Sequence, residues 1–241
     1  MQLDSSVTVA DIAAGSLAAV RVFERLGIDY CCGGKRPLAE VCGEKGLDAE
    51  DVQRELDAAA SAPDAAGRDW TTAPMRDLVA HIVSTHHEYL RRELPPLTDR
   101  LAKVYRVYNE RYGPTLIGLP DVLAGLRSEL EMHTLKEERI LFPAIVAAEA
   151  AAEAWRPLPA NPFGSVRNPV RMMEMEHESA GRALAEIRTI TRDFEIPDYA
   201  CVTYRALMSG LEELEKDLHV HIHLENNILF PRAVEFERAR L

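Results

Sequence analysis

The chain has 241 residues, enough for one medium-sized domain and a small one with a buried core. Hydrophobic residues make up 47% of it and aromatic residues only 6%, which favours helices over sheets. The net charge of -11, without a run of lysine or arginine, argues against nucleic acid or an anionic membrane as a partner. No uncharged stretch approaches the roughly 18–20 apolar residues of a membrane span, so we expect no membrane association.

The N-terminal segment, residues 1–58, is predicted to be a small helical domain. A helical pattern starts near Thr8 and ends at Gly27, and a second one follows the turn Asp-Tyr-Cys-Cys-Gly-Gly at 29–34. Residues 59–73 are rich in alanine, aspartate, glycine and proline and are predicted to be a linker.

Residues 74–241 are predicted to form four long helices in an antiparallel bundle, because glycine and proline mark short connections between long helical patterns. No alternation typical of strands occurs, so the fold class is all-α. The predicted limits of the helices are 74–110, 116–153, 168–193 and 198–239.

The second and fourth predicted helices share an internal repeat. Segments 133–143 and 221–231 both read His-x3-Glu and then, after two residues, Ile-Leu-Phe-Pro. The first and third predicted helices show a weaker similarity to each other, because His87 and His177 are each followed directly by a glutamate. The Phe-Pro steps are expected to bend the helices one turn beyond the glutamates.

These polar residues lie in the apolar faces of their helices, with spacings of three and four. The four faces are Val83, His87, Leu90 and Leu94; Leu126, Leu130, His133, Glu137 and Ile140; Val170, Met173, His177, Ala180 and Leu184; and Leu214, Leu218, His221, Glu225 and Ile228. A buried carboxylate without a partner costs several kcal/mol, so each glutamate requires one.

The pattern predicts a metal centre. A histidine and a glutamate four residues apart share one helix face and can bind one metal from adjacent turns. Six such ligands are too many for one tetrahedral zinc and suit two metals bridged by carboxylates, with iron or manganese favoured by imidazole and carboxylate donors. Any single histidine could instead be a hydrogen-bonded core residue. The predicted ligands are His87, His133, Glu137, His177, His221 and Glu225.

Other polar residues near this centre have weaker patterns. The histidines at 81, 86, 219 and 223 are off the apolar faces and are predicted to lie at the surface or outside the ligand shell. Glu176 is the best candidate for relaying protons or orienting an imidazole, followed by Glu138 and Glu178, although a solvated helix face is the favoured explanation for each of them.

Cys31 and Cys32 are candidates for redox chemistry or for iron or sulfur transfer, because the adjacent glycines are expected to keep the thiols exposed. The following helix is expected to lower a thiol pKa through its dipole. Packing is the alternative explanation for the pair. Cys42 and Cys201 are expected to be buried. With no disulfide framework and no signal-peptide pattern, the chain is predicted to be cytoplasmic.

The Cys-Cys-Gly-Gly unit together with the histidines and His-x3-Glu pairs resembles the repair-of-iron-centres family, di-iron proteins of the ScdA and YtfE type with a hemerythrin-like domain. The resemblance covers nearly the whole chain. It implies two irons, bridged by Glu137, Glu225 and an oxo or hydroxo group. It also implies repair of iron–sulfur proteins damaged by nitrosative or oxidative stress, by iron donation.

One position departs from the oxygen-carrying hemerythrins, which have a histidine four residues after the one that matches His177. This chain has Gly181 there, which predicts a more open centre. Reduction of nitric oxide, or sensing of nitric oxide or oxygen as ligands, are therefore alternative functions. A homodimer is also possible if the N-terminal unit docks on a second subunit.

Overall fold

The computed structural model describes residues 7–31, 33–60, 68–112 and 115–240. Within these ranges every regular element is a helix, which confirms the all-α prediction. Cys32, the break at Gly113-Pro114 and the central part of the predicted linker lie outside the described residues. No described helix has both the length and the apolar character that crossing a membrane requires.

The chain divides into two compact units. The first comprises Met1–Val79 with His219–Leu241, and the second comprises Ala80–Leu218. The long helix α10, Val202–His223, contributes residues to both of them.

The first unit contains short helices. They are α1 (Val9–Gly15), α2 (Leu17–Leu26), α3 (Leu38–Lys45), α4 (Ala49–Ala60) and α11 (Phe230–Arg238). A capping box starts α1, because the Asp11 amide donates to the Thr8 hydroxyl at 3.1 Å and the Thr8 amide to the Asp11 carboxylate at 3.1 Å. The predicted run to Gly27 is interrupted at Ser16, whose extended backbone ends α1 and whose side chain caps α2. Gly27, at a φ of 62°, ends α2 as predicted.

The second unit is built from long helices, which are α6 (Glu88–Tyr112), α7 (Leu119–Lys136) continued by α8 (Phe142–Glu153), α9 (Arg167–Thr191) and most of α10. Helix α5 (Met75–Ile82), which α6 continues, begins in the first unit and ends in the second. Counted together with the turns and helices that continue them, these helices have limits close to the predicted ones. Leucines from α6, α7, α9 and α10 form one continuous apolar core, which includes Leu94, Leu126, Leu184 and Leu214. Burial of these aliphatic faces is the main force that holds the bundle together.

Three π-helical turns interrupt the long helices next to the predicted ligands. They span Val83–His87, Glu137–Leu141 and Leu224–Leu229. The Phe142 amide donates to the carbonyl of Glu137, five residues back, and the Phe230 amide does the same to Glu225. The prolines that follow lie in the first turn of the next helix, where a missing N–H is tolerated.

The π-helical turn after Glu137 makes one sequence prediction wrong. Ile140 was expected to be buried, but its side chain is 48% exposed, whereas Leu141 is 1% exposed. A π turn holds more residues than an α turn, so the apolar face moves on by one residue after Glu137. Such turns are frequent at functional sites.

Candidate metal centre

In the second unit, two histidine side chains point at one carboxylate. Glu137 is fully buried, and its Oε2 lies 3.4 Å from His87 Nε2 and 3.2 Å from His133 Nε2. His87 comes from the end of the π turn after α5, and His133 and Glu137 come from successive turns of the second long helix. The apolar faces predicted from sequence therefore bring these three side chains together.

His177 completes this group from helix α9. Its Nε2 lies 3.0 Å from His133 Nε2, and the ring centroids are 4.7 Å apart. Single donor atoms of His133, Glu137 and His177 all lie within 4.8 Å of one another. Two imidazole nitrogens and a carboxylate directed at one buried point have the composition and spacing of a metal ligand set.

The outer nitrogens of two of these histidines face further carboxylates. His87 Nδ1 lies 2.8 Å from Glu138 Oε1, and His133 Nδ1 lies 2.9 Å from Glu176 Oε2. An ionised carboxylate only accepts hydrogen bonds, so each Nδ1 carries the proton and each Nε2 lone pair faces the inner group. Glu138 and Glu176 thus orient these two imidazoles, which supports the imidazole-orienting alternative for both residues.

The hydrogen bond from His133, followed by that from Lys136, lowers the pKa of Glu176 to about 2. We expect the carboxylate of the metal-free protein to titrate near that value in carbon-13 NMR. In a His133→Ala variant the pKa should rise towards its ordinary value of 4.5. An unchanged titration in this variant would show that His133 does not hold the Glu176 carboxylate.

The first unit carries the other predicted His-x3-Glu pair. His221 Nε2 lies 3.1 Å from Glu225 Oε1, and both side chains are almost completely buried. As in the first repeat, a π-helical turn with a Phe-Pro step follows the glutamate. The two repeats therefore share local structure as well as sequence.

The donor types in each unit fit iron. Among the predicted ligands, the second unit offers three buried imidazoles and one buried carboxylate, and the first unit offers one of each. Imidazole and carboxylate donors without a thiolate among them favour iron over a structural zinc. The aromatic ring of Phe142 stacks on His87 with centroids 5.7 Å apart, so the Phe of the repeat also helps to fix the orientation of this imidazole. The sequence assigned no such role to it.

Two histidines that were predicted at the surface or in outer positions are buried. His86 is 4% exposed and its Nδ1 lies 2.9 Å from Asp217 Oδ1; His223 is 1% exposed. His86 is buried because the π turn brings two consecutive histidines inward. His223 is buried because the helices of the first unit pack on that face of α10, where Ile222 joins their core. Burial lowers the His223 pKa to about 4, so this imidazole is neutral.

Cys31 is buried rather than exposed, so the prediction of an open thiol is wrong for this residue. The carboxylate of Asp29 accepts from the Cys31 amide at 3.0 Å, from the Cys31 thiol at 3.3 Å and from the Gly33 amide at 2.9 Å. The thiol therefore faces a carboxylate, not the start of a helix; α3 begins only at Leu38.

The two glycines of this turn allow close packing of the backbone. A Cβ atom on Gly34 would lie 2.5 Å from the Tyr30 carbonyl oxygen, and one on Gly33 would lie 2.8 Å from Asp29 Oδ2. The turn is also bound to the helix after α10, since the Asn227 amide donates to the Tyr30 carbonyl at 3.0 Å and to His223 Nδ1 at 2.9 Å. The sequence reasoning missed Asn227, for which the four-residue spacing from His223 was the available signal.

The other two cysteines differ in environment. Cys42 is fully buried, as predicted, and burial raises its pKa. Cys201 is exposed, which corrects the prediction, because it precedes the first turn of α10. The Tyr108 hydroxyl, the largest influence, lowers the pKa of this thiol.

Comparison with protein families defines the class. Residues 78–233 match the family described as the hemerythrin HHE cation binding domain, and residues 5–60 match ScdA_N, described as a domain of unknown function, DUF542. All six predicted ligands fall within the hemerythrin match.

Curated relatives cover nearly the whole chain and agree with this class. This chain is 38% identical to a protein of Pectobacterium carotovorum, over 95% of its own length and 97% of the length of that relative. It is 39% identical to a protein of Edwardsiella ictaluri over 95% and 99%, and 37% identical to one of Dickeya chrysanthemi over 94% and 98%. Each of the three is named iron-sulfur cluster repair protein YtfE. The chain therefore belongs to this YtfE family, the repair-of-iron-centres family that its motifs resemble.

Proposed function

We propose that this protein is a di-iron protein that repairs damaged iron–sulfur clusters, by donating iron to iron–sulfur proteins. The observation that carries the proposal is the convergence of His87 and His133 on the buried carboxylate of Glu137. A carboxylate between two imidazoles from different helices is placed to bridge two metals. The hemerythrin match, which treats all six residues as parts of one domain, and the names of the relatives support the same proposal.

In this proposal Glu137 and Glu225, with an oxo or hydroxo group, would bridge two irons, and the four histidines would complete the ligand set. When bound, the iron would supply the metal that a damaged cluster has lost. The protein residues bind and orient the ions: Glu138 and Glu176 keep the His87 and His133 Nε2 lone pairs directed inward. Burial of all six side chains restricts access of water to the ions.

The test is reactivation of a cluster enzyme damaged by nitric oxide. We expect the iron-loaded protein to restore activity under anaerobic conditions, and a His133→Ala/Glu137→Ala variant, which lacks two of the proposed ligands, not to restore it. Free ferrous iron at the same concentration is the control, and equal rescue by it would refute iron donation by the protein.

A second candidate function is reduction of nitric oxide to nitrous oxide. Gly181 supports it, because a glycine at this position provides no further imidazole and so predicts a less saturated metal centre. Gas analysis during anaerobic turnover with a reductant tests this function. Nitrous oxide at the level of a metal-free control would exclude it and leave iron donation as the sole proposal.

A further inference from the structure

Two ligand histidines have the same outward arrangement, although they lie on different helices. His87 contacts Glu138, whose same Oε1 atom accepts from Arg91 Nη1 at 2.7 Å. His133 contacts Glu176 Oε2, and the other oxygen of Glu176 pairs with the ammonium group of Lys136. In both places the order is imidazole, carboxylate and then cation.

Both arrangements run from the protein interior to solvent. The histidine side chains are 0% and 3% exposed, the two carboxylates about one third exposed, and Arg91 and Lys136 are 45% and 36% exposed. The cations are thus outside the ligand shell and cannot bind the metal themselves. Their influence on the centre must pass through the carboxylates.

The charge on each carboxylate affects how strongly the imidazole donates to a metal. A carboxylate that accepts the Nδ1–H bond draws the proton outward and makes Nε2 a better donor. A cation on the same carboxylate competes for its negative charge and weakens this effect. The carboxylate and the cation therefore act on the donor strength of the histidine in opposite directions.

We infer that Arg91 and Lys136 are positioning and tuning residues that weaken the donor strength of His87 and His133, and so make bound iron easier to release. This inference rests on the proposed metal centre and concerns how firmly that centre holds iron. A centre that must give up its metal gains from ligands held in a fixed orientation but with moderated donor strength. The charge pairs supply both properties at once.

The test measures the rate at which a ferrous chelator removes iron from the anaerobically loaded full-length protein. Glu138→Gln and Glu176→Gln should release iron about 10-fold faster, the lower end of the range for residues that orient ligands. Arg91→Met and Lys136→Met should release it about twofold to fivefold more slowly, as expected for partly exposed ion pairs. Arg91→Lys and Lys136→Arg retain the charge and should release iron at the parent rate.

Arg92→Met is the matched control, because Arg92 adjoins Arg91 but pairs with Glu93. It should not change the rate. A double variant tests whether Arg91 acts through Glu138. In the Glu138→Gln background, Arg91→Met should not change the rate of iron release further, because the carboxylate that connects Arg91 with His87 is absent.

Faster iron release from Arg91→Met and Lys136→Met would show that the two cations have only a structural role, and would overturn the inference. An unchanged rate of iron release would overturn it as well. An equal slowing in the Glu138→Gln background would show that Arg91 acts through its general field and not through His87. A parent protein that binds no iron would instead refute the proposed function itself. Circular dichroism is measured on each variant to confirm that the variant is folded.

Discussion

Replacing Glu137 by alanine is expected to abolish binding of both metal ions. Glu137 is fully buried, and its carboxylate lies within 3.4 Å of His87 Nε2 and 3.2 Å of His133 Nε2. The substitution therefore removes the proposed bridging ligand and leaves these two imidazoles without the carboxylate between them. Residues that only orient ligands already affect metal affinity by about 10-fold to 100-fold, and a bridging ligand should exceed that range. Metal analysis after anaerobic gel filtration measures the effect.

The matched control for this variant is Glu131→Ala. Glu131 lies on the same helix but is exposed and pairs with Arg127 at the surface, so its removal should leave the iron content unchanged. Equal iron content in the Glu137→Ala variant and in this control would refute the role of Glu137.

The second large effect is expected at the cysteine turn. In Gly34→Ala the added Cβ would meet the Tyr30 carbonyl oxygen at 2.5 Å, and that carbonyl is fixed by the Asn227 amide. The turn must shift, at a cost of about 1–3 kcal/mol, the usual range for overpacking. Hydrogen exchange of the amides in α1–α4 should report the loss of stability of the first unit.

Gly43→Ala is expected to have the opposite effect on the stability of the same unit. Nothing lies within 4 Å of a Cβ at this position, which is in helix α3. Alanine is the better helix former, so this variant should be more stable by up to about 1 kcal/mol. Similar exchange rates in the two variants would contradict the close packing described for the turn.

The long helices and most of their inward faces were predictable from the sequence, because burial in a bundle leaves a regular spacing of apolar residues. Leu94, Leu130, Met173 and Leu218 are all buried as that spacing requires. The same regularity placed His87, His133, Glu137 and His177 on facing sides of the second unit. That these residues bind metal stays a prediction.

The errors arose where the local geometry departs from the α-helix. The π-helical turn after Glu137 turned Ile140 outward, and the one ending at His87 brought His86 inward. Spacing rules assume 3.6 residues per helical turn, so they do not detect the extra residue that a π-helical turn contains. The prolines at 143 and 231 are a visible signal of irregularity, but a proline predicts a bend and does not by itself indicate a π-helical turn.

The cysteine turn was misjudged for a different reason. Adjacent glycines are compatible with exposure and with close packing, and composition does not distinguish the two. Asn227, which donates to the Tyr30 carbonyl of the turn, is 197 residues away from Tyr30 in the sequence, so only the folded chain shows this contact. His223 was missed in the same way, since its burial depends on packing of the first unit.

The central claim is tested most directly by metal analysis of the anaerobically purified protein. A bridged pair of irons predicts two iron ions per chain, with little zinc or manganese, and their loss in a His133→Ala/Glu137→Ala variant that remains folded. Retention of the iron by that variant, or one tightly bound zinc in place of iron in the parent protein, would contradict the di-iron centre.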